Sequence, residues 1–74
     1  MKVYVIENPK KEYLHLYTSV DGNDIESYFT TYLYSSEFFE TEEEASIFRQ
    51  YFFEKNERDS LRIREVVVEL GTLL

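Results

Sequence analysis

The chain has no cysteine, no tryptophan, one proline and two glycines. Without cysteine, no disulfide can offset the entropy of ordering 74 residues, and no Cys/His set for a structural zinc exists. Two glycines, Gly22 and Gly71, cannot build a glycine-rich phosphate loop. No apolar run approaches the ~18 residues that a membrane helix needs. The first apolar stretch, Val3 to Ile6, falls far short of a signal-peptide core. The expectation is a cytoplasmic protein in a reducing compartment. Basic residues are also missing from half of the chain: between Glu12 and Phe48 there is not one Lys or Arg.

What is present is acid and aromatic. Fifteen acids against eight bases give a net charge of −7, and seven Tyr and six Phe supply core material. Disordered chains lack that aromatic content, so a folded single domain over residues 1–74 is expected. The base-free stretch holds nine acids, which accounts for the whole excess. A chain this acidic repels phosphate backbones and anionic membranes, so neither nucleic acid nor membrane is expected as a direct partner.

The pattern along the chain reads as strand, strand, strand, helix, strand. Lys2–Glu7 is apolar on both parities, as a central strand is. Asn8-Pro9-Lys10-Lys11 is turn chemistry. From Glu12 to Thr18, Leu14 and Leu16 share one face and Tyr13, His15 and Tyr17 the other. These two strands are expected to pair as a hairpin.

Asp21-Gly22-Asn23-Asp24 is a loop. Ile25 to Tyr34 carries both helical and strand signals, and Thr30-Thr31-Tyr32-Leu33-Tyr34 tips it to a strand over 27–34. Phe38-Phe39 is expected to plug the core. Thr41-Glu42-Glu43-Glu44 is a capping box, with the Glu44 side chain reaching back to the Thr41 N–H. The helix is expected to run to about Asn56, with Ala45, Phe48, Tyr51, Phe52 and Lys55 on one face, widened by Ile47 and Phe53.

Ser60 to Leu70 is the last strand, ended by Gly71. Leu61 and Ile63 have one parity and Val66, Val68 and Leu70 the other. Either a bulge near Glu65 or burial of both faces is required. The fold class is α+β: a small antiparallel sheet of three to four strands with one helix packed on one face.

Enzyme readings find little support. The only histidine, His15, lies in a strand between two leucines, and no Gly-x-Ser-x-Gly elbow exists. Among so many acids, some carboxylate pair always has glycosidase spacing, so such a pair carries no signal. Asp21 to Glu26 fails as an EF-hand loop. Ile25 stands at a ligand position, Glu26 where glycine is needed, and Tyr32 where the bidentate Glu belongs. An Asx turn explains the loop better. The expectation is a protein that is not an enzyme and needs no cofactor or metal.

The acids have two readings. First-turn acids suit the helix dipole, and surface acids keep a small protein soluble. Thirty-seven residues without a base exceed what capping requires. The functional reading is a negative surface for a basic partner, built from Asp21, Asp24, Glu26, Glu37, Glu40, Glu42, Glu43 and Glu44. Carboxylates there stand in for phosphates, and Tyr28, Tyr32 and Tyr34 for stacked bases. A rival reading is a structural module whose aromatic sheet face, with Tyr4, Tyr13 and Tyr17, pairs two copies into a homodimer.

In overall character the chain resembles the small acidic proteins with which phages and mobile elements block host defence, the anti-CRISPR and anti-restriction proteins. The residues behind the likeness are the window Asp21 to Glu44, the segment Glu37-Phe38-Phe39-Glu40-Thr41-Glu42-Glu43-Glu44-Ala45, and the strand–helix–strand plan. No family signature accompanies it, so no residue role carries over. The resemblance implies a non-enzymatic inhibitor that binds a basic, nucleic-acid-handling host protein.

Overall fold

The structure is a computed structural model and describes residues 1–68. Four strands form one antiparallel sheet: β1 (Lys2–Glu7), β2 (Tyr13–Thr18), β3 (Ile25–Thr30) and β4 (Arg62–Val67). Their order is β3-β2-β1-β4. The helix α1 (Glu42–Phe52) packs on one face, and a single turn, α2 (Lys55–Arg58), leads into β4. This is the α+β class that the periodicities predict.

β1 is central, as its two-faced apolar pattern requires. Val3, Val5 and Ile6 are buried, although they alternate between faces. Ile6 turns toward α1 and joins Leu14, Ala45, Phe53 and Leu61 in the core. Tyr4, Leu16, Phe29, Phe39, Phe48 and Ile63 close around that cluster. Full burial stabilises each of Ile6 and Leu14 by about 2 kcal/mol over exposure. Val3, Val5 and Glu7 point to the opposite, helix-free face.

β1 and β2 pair only beside their connecting turn, at Glu7 and Tyr13. Beyond it they splay, and a later segment fills the gap. The Glu37 N–H donates to the Leu14 carbonyl at 2.7 Å, on β2. Phe39 and Tyr4 exchange both backbone bonds, at 2.8 and 2.9 Å, on β1. Residues 37–39 are thereby wedged between two strands, which satisfies backbone groups that a hairpin would otherwise pair. Phe39 plugs the core as expected, while Phe38 is partly exposed.

Several boundaries differ from the sequence reading. The third strand starts two residues earlier and stops at Thr30. Tyr32 is extended and Leu33–Ser35 forms a 3-10 turn, because the chain must reverse there to reach the wedge. α1 stops at Phe52 rather than near Asn56. Phe53 adopts an extended backbone, φ −105 and ψ 149, and is buried in the core. Its ring lies 6.3 Å from that of Phe29. Burying that ring outweighs another helical turn, so Asn56 lies inside α2 instead of stopping α1. Tyr51, placed on the apolar face by spacing, is exposed.

No bulge interrupts β4. Its register with β1 runs unbroken from Lys2↔Val67 to Glu7↔Arg62. The parity conflict resolves the other way: Ile63 faces the helix, and Val66 lies opposite Val3 on the other face. The expected strand end at Leu70 and Gly71 lies outside the described residues. Among the described residues, no helix is long and apolar enough to cross a membrane.

Candidate interaction surface

The Thr18–Ile25 connection is a tight, internally bonded loop. The Asp21 carboxylate accepts from the Ser19 hydroxyl and from the Asn23 N–H, the latter at 3.0 Å. The Asp24 N–H donates to the Ser19 Oγ at 3.1 Å, and Gly22 supplies the positive φ, 77°, that the turn needs. This is the Asx turn that the sequence implied. The Ser19 hydroxyl, then the Asn23 N–H, holds the Asp21 carboxyl below its ordinary pKa. The loop therefore presents a fixed charge. Asp21, Asp24 and Glu26 line one shallow concavity of about 440 Å3, with Val20 fully exposed in its wall. Among the described residues, no group of three His, Cys, Asp or Glu is placed to hold a metal ion.

The second acidic group is at the start of α1. Thr41 caps the helix, its Oγ1 accepting from the Glu44 N–H at 3.1 Å. The reciprocal bond of a capping box is absent among the described residues: the Glu44 carboxylate makes no bond to the Thr41 N–H. It is exposed, as are Glu40, Glu42 and Glu43.

Topology brings the two groups toward one end of the sheet. β2 enters the Asp21–Asp24 loop at the end where β1 begins. Phe39 opposes Tyr4 in antiparallel sense, so the chain beyond it heads for that same end and starts α1 there. Among the described residues, none of the nine acids of the base-free window forms an ion pair. Lys2, at the start of β1, shares this end and pairs with Glu65 at 3.4 Å, whereas five of the eight bases lie at the other end. Lys10 and Lys11 are in the β1–β2 turn, Lys55 and Arg58 in α2, and Arg62 at the start of β4.

Three candidate residues stand apart from this acidic end. Tyr32 and Tyr34 are exposed, but they follow the far end of β3. Glu37 is half-buried in the wedge, tied through its backbone.

The aromatics nearest the acids are others. On the helix-free face, His15 lies 4.8 Å from Tyr28, and Tyr17 lies 5.8 Å from Tyr28, ring centre to ring centre. Glu26 pairs across strands with Tyr17, accepts from its hydroxyl and raises its pKa above 10.0. The His15 Nδ1 meets the Ser35 carbonyl, which fastens the 3-10 turn to this platform. Of the aromatic-face residues read from sequence, Tyr13 and Tyr17 belong to this face. Tyr4 does not: its parity puts it on the helix side, packed against the core.

The same face holds a buried charge that sequence reading missed. The Glu7 side chain is 1% exposed. Arg62 Nε donates to its Oε1, and Arg64 NH1 donates to its Oε2 at 2.9 Å. Burial alone raises the Glu7 pKa. The bonds from Arg64 and Arg62, with their positive charge, outweigh burial and leave it below 4.5. Glu7 in turn raises the Arg64 pKa. Only the cross-strand register, β1 against β4, reveals this triad.

Comparison with known proteins finds no matching family model, no similar curated protein and no similar solved structure.

Proposed function

We propose that the chain is a non-enzymatic interaction protein whose acidic end occupies a basic groove of a nucleic-acid-handling protein and blocks it. The observation that carries this reading is the convergence of Asp21, Asp24 and Glu26 with Glu40, Glu42, Glu43 and Glu44 toward one end of the sheet. Like charges gathered there destabilise the fold slightly, and among the described residues none of these acids forms an ion pair. A partner rich in Arg and Lys removes that repulsion and gains fast, salt-sensitive association. The concavity beside Val20 suits a basic side chain, carboxylates taking its charge and Val20 its aliphatic stem. Inhibition of the anti-CRISPR or anti-restriction kind, inside a cytoplasm, is the biological setting that fits.

The test is capture from a nuclease-treated bacterial lysate, compared with the variant E40K/E42K/E43K. The expected outcome is a nucleic-acid-binding protein, released by high salt, displaced by added duplex, and not captured by the variant. Capture at full strength by a folded variant refutes electrostatic occupation of a groove.

A second reading is favoured by the platform of half-buried His15 with exposed Tyr17 and Tyr28: a homodimer formed through the helix-free face. Tyr17→Ala then lowers the solution mass by half. A monomeric mass for the parent chain removes this reading.

A further inference from the structure

A polar cavity of about 290 Å3 opens at the base-bearing end, between the last turn of α1, α2 and the chain entering β4. Arg49, Gln50, Arg58, Asp59 and Leu61 line it. Both arginines are half-buried, and each is anchored by one donor. Arg49 NH1 donates to the Leu61 carbonyl at 3.0 Å, and Arg58 NH1 to the Gln50 carbonyl at 3.1 Å. A guanidinium carries five donors in a rigid fork, so four on each remain. Among the described residues, neither arginine pairs with a carboxylate. The one acid in the wall, Asp59, is engaged by Lys55 Nζ at 3.2 Å.

Two guanidinium groups, each held by a backbone carbonyl, line one concave, polar site. We propose that this cavity binds a phosphate group, with Arg49 and Arg58 each donating to its oxygens. Fork geometry matches a tetrahedral oxyanion, and charge-assisted bonds to it are about twice as strong as neutral ones. The volume exceeds that of the ion, so a small phosphate ester fits as well as free phosphate. The site lies at the opposite end from the acidic surface and does not depend on it.

The experiment is an NMR titration of the whole chain with sodium phosphate, and separately with glycerol 3-phosphate, against sodium chloride at matched ionic strength. Saturable shifts at Arg49, Gln50 and Arg58, including the arginine Nε–H signals, are expected with both phosphates and not with chloride. The tighter of the two identifies free ion or ester as the natural source. R58Q weakens binding about tenfold, and R49K, which keeps charge but loses the fork, weakens it less. The variant E40K/E42K/E43K retains phosphate binding, which separates this site from the acidic surface. Shifts that match those in chloride, or that survive unchanged in R58Q, overturn the proposal. In that case the two arginines serve only to cap backbone carbonyls. If R58Q does not fold, the parent titration against chloride still decides.

Discussion

Glu37 donates its backbone N–H to the carbonyl of Leu14, in the place where β1 would pair if it continued beside β2. The contribution of Glu37 to stability is thus made by its backbone, while its side chain is half-exposed. Glu37→Pro removes the donor and is expected to cost about 1–3 kcal/mol, because the Leu14 carbonyl loses its partner inside the sheet. Glu37→Gln leaves stability within about 0.5 kcal/mol. Urea unfolding of both variants separates the two roles. Equal stabilities contradict the wedge.

Glu7→Gln is expected to destabilise by about 3 kcal/mol, the lower end for a broken buried pair because both guanidiniums reach solvent. The pH dependence has a definite sign. Glu7 has a folded pKa below 4.5, so its stabilisation is complete above that value and disappears as pH falls through the folded pKa. The stability gap between parent and Glu7→Gln is therefore flat above about pH 5.5 and closes below 4.5. Thermal melts from pH 3 to 7 check it. A gap that widens with acid contradicts the assignment.

Thr41→Ala removes the side-chain N-cap of α1 and is expected to cost about 1 kcal/mol. Glu44→Ala is expected to change stability by no more than about 0.5 kcal/mol, since the Glu44 carboxylate makes no capping bond. Denaturant midpoints distinguish this from a full capping box, in which both substitutions cost stability.

Lys11 occupies the left-handed region, φ 63°, in the β1–β2 turn. Asn8 forces the bend by accepting from the Lys10 and Glu12 N–H groups at 3.0 and 2.9 Å. A side chain there is strained by roughly 1 kcal/mol. Lys11→Gly relieves that strain and is expected to hold or raise the melting temperature, although glycine loosens the unfolded chain. A drop of several degrees contradicts the turn geometry.

These variants mark how far sequence alone reaches. Local periodicity and caps were legible: the alternation of Leu14 and Leu16 against Tyr13 and Tyr17, the Thr41 cap, and the Asx turn at Asp21. What escaped depends on partners distant in sequence. Glu7 reads as an ordinary strand end until Arg62 and Arg64 come to lie beside it on β4. Phe53 reads as one more helical residue until the core claims its ring. Residues 37–39 have no period at all, because a wedge bonded to two strands needs neither strand nor helix patterning. The two acidic groups were each visible, but their convergence required knowing which way the chain runs past Tyr4.

The position of β1 has a consequence for how the chain is made. Its neighbours are β2, paired only beside the turn, then the wedge and β4, and the Arg62–Glu7 contact spans 55 residues. Of the four strands, β1 is thus made before the others and enclosed only when β4 arrives. Until β4 leaves the ribosome, Val3, Val5 and Ile6 form a β-prone apolar row without that cover, while β2 and β3 can already pair. Translation speed across residues 8–61 sets how long that row stays open to aggregation.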